Sequence, residues 1–279
     1  MKENNNDITH AFEQALNMQG YGFQHRVISE IKKFYDEGKC QWWPYVNEFP
    51  VDIQGASTRI DSILRYAHKD IYAIMETKRV NPTHSNWCFS YKPASNHHLS
   101  NKFYVEGLTL FSNCLTSIIK DIWGSDNIYT IAVEAKSKGN GDSCGKGRGV
   151  IEESVTQLCR GLNGIIEYFK KTPGSISTYP MFVLPILCTT ANLWVTDVKM
   201  DDANLNDGMI KLSNQQVKKV NWLHYHYPQS PGLKHSVRPR CIQQDMRNKI
   251  YDEYIRDIII MNPEGLQDFF CDRNWQDIF

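Results

Sequence analysis

Apolar residues recur at two spacings along this chain, and the switch from one to the other predicts its elements. Steps of three and four predict helices over residues 8–17, 23–37, 104–123, 150–170 and 241–261. In the second of these Phe23, Val27, Ile28, Ile31 and Phe34 form the stripe, and Gly38 ends it. In the fourth, the most regular, the stripe runs Ile151, Val155, Leu158, Leu162, Ile165, Phe169. Short apolar runs bounded by turn residues predict strands over 42–53, 128–136, 181–189, 192–197 and 217–227. Pro185 places 181–189 at a sheet edge or a bulge. Between the first strand and residue 79 lies a predicted hairpin. Ile60, Ile63 and Leu64 form its first arm, residues 67–70 its turn, and Ile71, Ala73, Ile74 and Met75 its second arm. Residues 81–100, 139–149, 200–208 and 228–239 are polar or rich in glycine and proline and are expected to be loops.

This order predicts an α/β or α+β fold, a central mixed β-sheet flanked by helices. Residues 1–195 are expected to form the core domain, with an insertion at 79–127. Residues 196–279 are expected to be a C-terminal extension packed on that core. At 279 residues the chain can bury a sizeable core. Lys plus Arg and Asp plus Glu are 31 each, so any nucleic-acid contact must come from a local patch rather than a global field. The eight cysteines contain no C-x-x-C, which argues against a zinc ribbon and fits reduced thiols of a cytoplasmic protein. No apolar run is long enough to span a bilayer.

Into the apolar arms of the hairpin are set three groups that a strand core disfavours, Asp61, Glu76 and Lys78. Glu76 and Lys78 are two apart on one strand and share a face. The hairpin brings Asp61 alongside. Unpaired buried charge is costly, and a divalent ion would offset it. E-x-K occurs four times, and in Glu30–Lys32 and Glu37–Lys39 it lies on or at the end of a helix, where residues two apart diverge. Glu134 and Lys136 end another strand and form a second candidate pair, followed by Gln157 on the next helix.

The succession helix, strand, strand with Arg59–Ile60–Asp61, strand ending Met75–Glu76–Thr77–Lys78, helix, strand resembles the PD-(D/E)XK nuclease superfamily, the restriction-endonuclease-like fold. The resemblance covers roughly residues 20–195, with Arg-Ile-Asp where that family has Pro-Asp. It implies a Mg²⁺-dependent (or Mn²⁺-dependent) phosphodiesterase acting on DNA, duplex DNA above all, with a role in bacterial defence or DNA processing. It implies Asp61, Glu76 and the Thr77 carbonyl as metal ligands and Lys78 as the group that orients the attacking water. Glu30 or Glu48 would add a carboxylate. Related nucleases of the RecB-like branch carry a glutamine on the helix after the E-x-K strand, and Gln157 stands there relative to Glu134 and Lys136.

Residues 139–149 lack the spacing of a Walker A loop, yet Lys146 and Arg148 at the start of a helix suit a DNA-backbone clamp, with Arg79 as a further cation. Gly161 and Gly164 on the flank of Gln157 imply close approach of protein or nucleic acid. His224 and His226 share a strand face, with packing favoured over zinc binding. The expectation is a metal-dependent endonuclease, a homodimer if both strands of a duplex are cut. The rival is a non-catalytic module that keeps the fold for binding nucleic acid or protein.

Overall fold

The computed structural model describes residues 5–53, 56–82, 85–90, 102–111, 114–124, 128–135, 149–172, 180–228 and 255–279. The chain opens with helices α1 (Asn5–Gln19) and α2 (Tyr21–Asp36), separated by Gly20 alone, whose φ of 77° breaks the helix at no steric cost. Gly38, at φ 70°, closes α2, and its N–H donates to Tyr35 O. Strands β1 (Trp42–Ile53), β2 (Ala56–Tyr66) and β3 (Ile71–Lys78) then form an antiparallel meander. They are followed by β4 (Asn86–Ser90), β5 (Lys102–Phe111), β6 (Cys114–Gly124), β7 (Ile128–Tyr129) and β8 (Ile131–Ala135). Helix α3 (Val150–Lys171) leads into β9 (Met181–Thr189), β10 (Asn192–Thr196), β11 (Val217–Val220), β12 (Trp222–Pro228) and β13 (Ile255–Met261).

Among the described residues these strands make two sheets. The larger is mixed and runs β1-β2-β3-β9-β13-β12-β7, with the β5–β6 hairpin attached to β9. The smaller runs β11-β10-β4-β8. Helix α3, which follows β8 and leads into β9, crosses one face of the parallel pair β3–β9, where Val155, Leu158, Leu162, Ile165 and Phe169 meet Ile60, Ile63, Ile74, Val183 and Leu187. Trp87, Phe89 and Leu193 of the second sheet belong to that same core. On the opposite face Val27, Ile31 and Phe34 of α2 meet Leu64, Ala73, Met75 and Leu184, together with Phe269, Phe270 and Trp275 near the C-terminus. The result is the expected α/β architecture, a large mixed sheet flanked by helices. No described helix is long and apolar enough to cross a membrane.

Several predicted elements differ. Residues 104–111 and 114–123 lie in the antiparallel strands β5 and β6 and not in a helix; residues 112–113 lie outside the described residues. Their apolar residues fit helical steps, but Tyr104, Val105, Thr109, Ile118, Ile119 and Ile122 are aromatic or β-branched, and that preference prevails. Gly107 lets β5 approach β9 closely: a Cβ there would meet the backbone oxygen of Met181. The helix predicted over 241–261 ends in a buried strand, β13, because Ile255–Met261 carries four isoleucines; residues 241–254 lie outside the described residues. The loop predicted over 81–100 contains β4. Residues 128–136 divide at Thr130 between the two sheets, as 217–227 do at Asn221.

Pro185 lies neither at an edge nor in a bulge, since β9 is central, between β3 and β13. Opposite β3, however, the neighbour of β9 changes from β5, which reaches Val183, to β13, which begins at Ile186. Pro185 falls at that join, where a missing N–H costs little.

The seat of α3 on the sheet depends on two glycines. A Cβ at Gly164 would lie 2.5 Å from Val51 Cβ, and one at Gly161 would lie 3.0 Å from Ile60 Cγ1. Gly164→Ala should therefore lower stability by about 1–3 kcal/mol through overpacking. Gly22→Ala, on α2 with nothing within 4 Å of the added carbon, should raise it by about 0.5–1 kcal/mol. Urea unfolding of the two variants beside the parent checks both signs.

Candidate active site

Strands β2 and β3 pair only from Arg65–Tyr72 to Ser62–Met75. β3 continues beside β9 as far as Lys78–Thr189, so its last residues have a strand on one side and an opening on the other. β1 and β2 lose their alternation at the same level. Val46 and Phe49, three apart, both pack on the α3-side core, as Ile60 and Ile63 do. Glu48 lies between the first two with a φ of 54°, a left-handed conformation unusual for a residue with a side chain. This slip turns Asp61 into the opening, where its Oδ2 accepts the Thr77 N–H at 2.8 Å and the Thr77 hydroxyl at 2.6 Å. The carboxylate thus replaces the missing strand as partner of the β3 backbone.

Glu76 follows Tyr72 and Ile74 onto the α3 face by strand alternation and is only 6% exposed. Among the described residues its carboxylate receives no hydrogen bond. Burial, then the charges of Asp61, Glu48 and Glu153, push its pKa up to about 9, and Lys78 opposes them. Asp61 is raised as well, first by burial, against the two Thr77 bonds. Lys78, on the same face as Glu76, stands 3.9 Å from Glu153 Oε2 on the first turn of α3.

Helix α2 supplies a further contact. The buried Gln24 donates to Glu48 Oε1 at 2.5 Å and to the Asp61 carbonyl at 3.2 Å. The other Glu48 oxygen faces Arg59 Nη1 at 3.6 Å. The structure therefore brings Asp61, Glu76, Thr77 and Lys78 together, and adds Glu48, Gln24, Arg59 and Glu153. Gln24 had a legible signal, a polar residue in line with the buried stripe Val27, Ile28, Ile31.

The second candidate set divides. Gln157 is half-buried on the flank of α3 between Glu153, which meets Lys78, and Gly161, which meets Ile60 and Ile74. It lies one turn from each, on the flank of α3 that passes the first set. Glu134 lies on β8 of the smaller sheet, and its Oε1 accepts the Ile151 N–H at 2.8 Å. It acts as an acidic cap for α3, whose dipole favours negative charge at that end. The first turn of α3 touches both sets, through Ile151 to Glu134 and through Glu153 to Lys78. Lys136, Lys146 and Arg148 lie outside the described residues. Arg79 donates from Nη1 to Asn17 O at 2.7 Å and so ties the end of β3 to α1. Glu30 pairs with Arg26 along α2 and takes no part. The glycine flank of α3 admits sheet side chains rather than nucleic acid.

His224 packs between the rings of Phe103 and Trp222, and burial pushes its pKa down to about 3. His226 pairs with Asp257 at 3.0 Å. Among the described residues no three His, Cys, Asp or Glu side chains form a ready-made metal cage. No protein family, curated protein or solved structure matches this chain.

A carboxylate with a raised pKa keeps its proton in the folded state after the unfolded chain has lost it. In metal-free buffer Glu76 should therefore make stability fall as pH rises from about 4.5 toward 9. Melting curves across that window should slope less steeply for Glu76→Gln than for the parent. Parallel slopes would remove Glu76 as the cause.

Proposed function

We propose that this protein is a divalent-metal-dependent nuclease that hydrolyses phosphodiester bonds in DNA at the site of Asp61, Glu76 and Lys78. The observation that carries this reading is the Glu76 carboxylate, 6% exposed and without a hydrogen-bond donor among the described residues, beside a second carboxylate with a raised pKa. A structural salt bridge would give Glu76 a donor. The donor set fits a hard ion: both donors to Asp61 meet Oδ2, which leaves Oδ1 available, and Glu76 lacks any. Mg²⁺ is ordinarily held by one or two carboxylates and completed by water and substrate phosphate, so it needs no third protein ligand.

Asp61 and Glu76 would hold the ion, with the Thr77 carbonyl as the further ligand on this reading. When bound, Mg²⁺ or Mn²⁺ supplies Lewis-acid polarisation of the phosphate and a lowered pKa for an adjacent water. Thr77 keeps Asp61 from rotating out of the opening. Lys78 presents a cation on the face of Glu76, where it orients the attacking water and offsets negative charge developing on the phosphate. Glu153 faces the Lys78 ammonium, and Gln157 lies one turn further along α3 on this reading. Lys146 and Arg148, ahead of α3, are the proposed backbone contacts. Cutting both strands of a duplex asks for two such sites, which a homodimer would bring together.

Supercoiled plasmid incubated with Mg²⁺ or Mn²⁺ should be nicked or linearised, and EDTA should stop it. Asp61→Asn, Glu76→Gln and Lys78→Ala should each lower the rate by about 10²-fold or more. Activity that survives Lys78→Ala but not Lys136→Ala would move the chemistry to the second pair. Binding of DNA without cleavage under either ion would replace the enzyme with a binding module.

A further inference from the structure

The site as described is poor in positive charge. Glu48, Asp61 and Glu153 all act on the Glu76 carboxylate, and the cation among the causes of its shift is Lys78. A polyanion has to enter this region, and long-range repulsion between like charges opposes it. Beside the carboxylates is a second cation that the sequence motif does not include. Arg59, two residues before Asp61 on β2, has a side chain 71% exposed. Its guanidinium has a charged partner: Nη1 faces Glu48 Oε2 at 3.6 Å, and the opposite Glu48 oxygen is held by Gln24 at 2.5 Å. Gln24 is itself 5% exposed and bonded to the Asp61 carbonyl. Three residues from two strands and a helix thus form a relay with a buried amide at one end and an exposed guanidinium at the other.

Glu48 adopts φ 54° within this relay. Such a backbone costs on the order of 1–3 kcal/mol and persists where surrounding contacts impose it. An exposed arginine needs no such support for solubility. A guanidinium aimed at a fixed place does, because its planar fork suits the paired oxygens of a phosphate.

We propose that Arg59 is a phosphate-binding residue that receives the nucleic-acid backbone next to the Asp61–Glu76 site, with Glu48 and Gln24 as its positioning residues. The proposal rests on the nuclease reading for the ligand's class. Glu48 turns one face of the guanidinium inward and leaves its remaining N–H groups for the phosphate. Gln24 fixes Glu48 and the strand that carries Asp61 in a single contact, so the distance between phosphate contact and carboxylates is set by one buried amide.

The test uses fluorescence anisotropy with a labelled duplex oligonucleotide in EDTA, in a Glu76→Gln background, so that neither metal nor cleavage contributes. Adding Arg59→Ala should weaken binding about 5–10-fold and reduce the slope of log K against log salt by about one. Arg59→Lys should restore the slope but only part of the affinity. Gln24→Leu should lose affinity with the slope unchanged, because the charge remains and only its placement is lost. Unchanged affinity and slope for Arg59→Ala overturn the proposal, as does failure of the background protein to bind any nucleic acid. Plasmid cleavage by the parent separates the two readings. Cleavage with an indifferent Arg59 leaves the nuclease standing without this contact, and an Arg59-dependent salt slope without cleavage leaves the contact standing without the nuclease.

Discussion

From Glu76 to Lys78 the backbone of β3 has a strand on one side only, because its pairing with β2 ends at Ser62 opposite Met75. An unsatisfied N–H at such a place, half shielded by α2 and α3, is costly. The Asp61 carboxylate meets that cost by accepting both polar groups of Thr77. Almost everything else at the site follows from this exchange. Asp61 can reach only because β2 slips in its alternation, β1 slips with it at Glu48, and Glu48 keeps its conformation against Gln24 of α2. A helix and three strands are therefore coupled through the hydrogen bonds of Asp61 to Thr77 and of Gln24 to Glu48 and Asp61.

The electrostatics are consistent with this arrangement. Two neighbouring carboxylates with raised pKa values store free energy that either protons or a cation can release, and Lys78, which also faces Glu153, only partly balances them. Such a site is unfavourable for the empty fold and useful for one that must take up a charged ligand.

Much of this was legible in the sequence. The hairpin from Ile60 to Met75, the face shared by Glu76 and Lys78, and the apolar stripe of α3 follow from strand and helix periodicity, and the folded chain has each of them. Gln157 was legible as a residue of α3 but not as one on the flank that carries Glu153 toward Lys78. Its place depends on α3 running antiparallel to β3, which only the crossover to β9 decides. Glu134 and Lys136 look like Glu76 and Lys78 along the chain, and Glu134 differs in lying on a separate sheet against the start of α3. The errors at β5, β6 and β13 share a cause: apolar residues of a strand can fit steps of three and four by chance, and spacing alone does not separate a buried strand from a buried helix.

Strand β13 lies between β9 and β12, in the middle of the large sheet, although it is the last strand in chain order. On the ribosome, β9 is complete some seventy residues before this neighbour arrives. Until then the edge of β9 beyond Pro185, which carries Ile186, Leu187 and Cys188, has no strand beside it and can pair with another chain. Folding of this sheet is therefore closed late by a long-range contact, a topology that makes the nascent chain slow to mature and exposes it to holding chaperones.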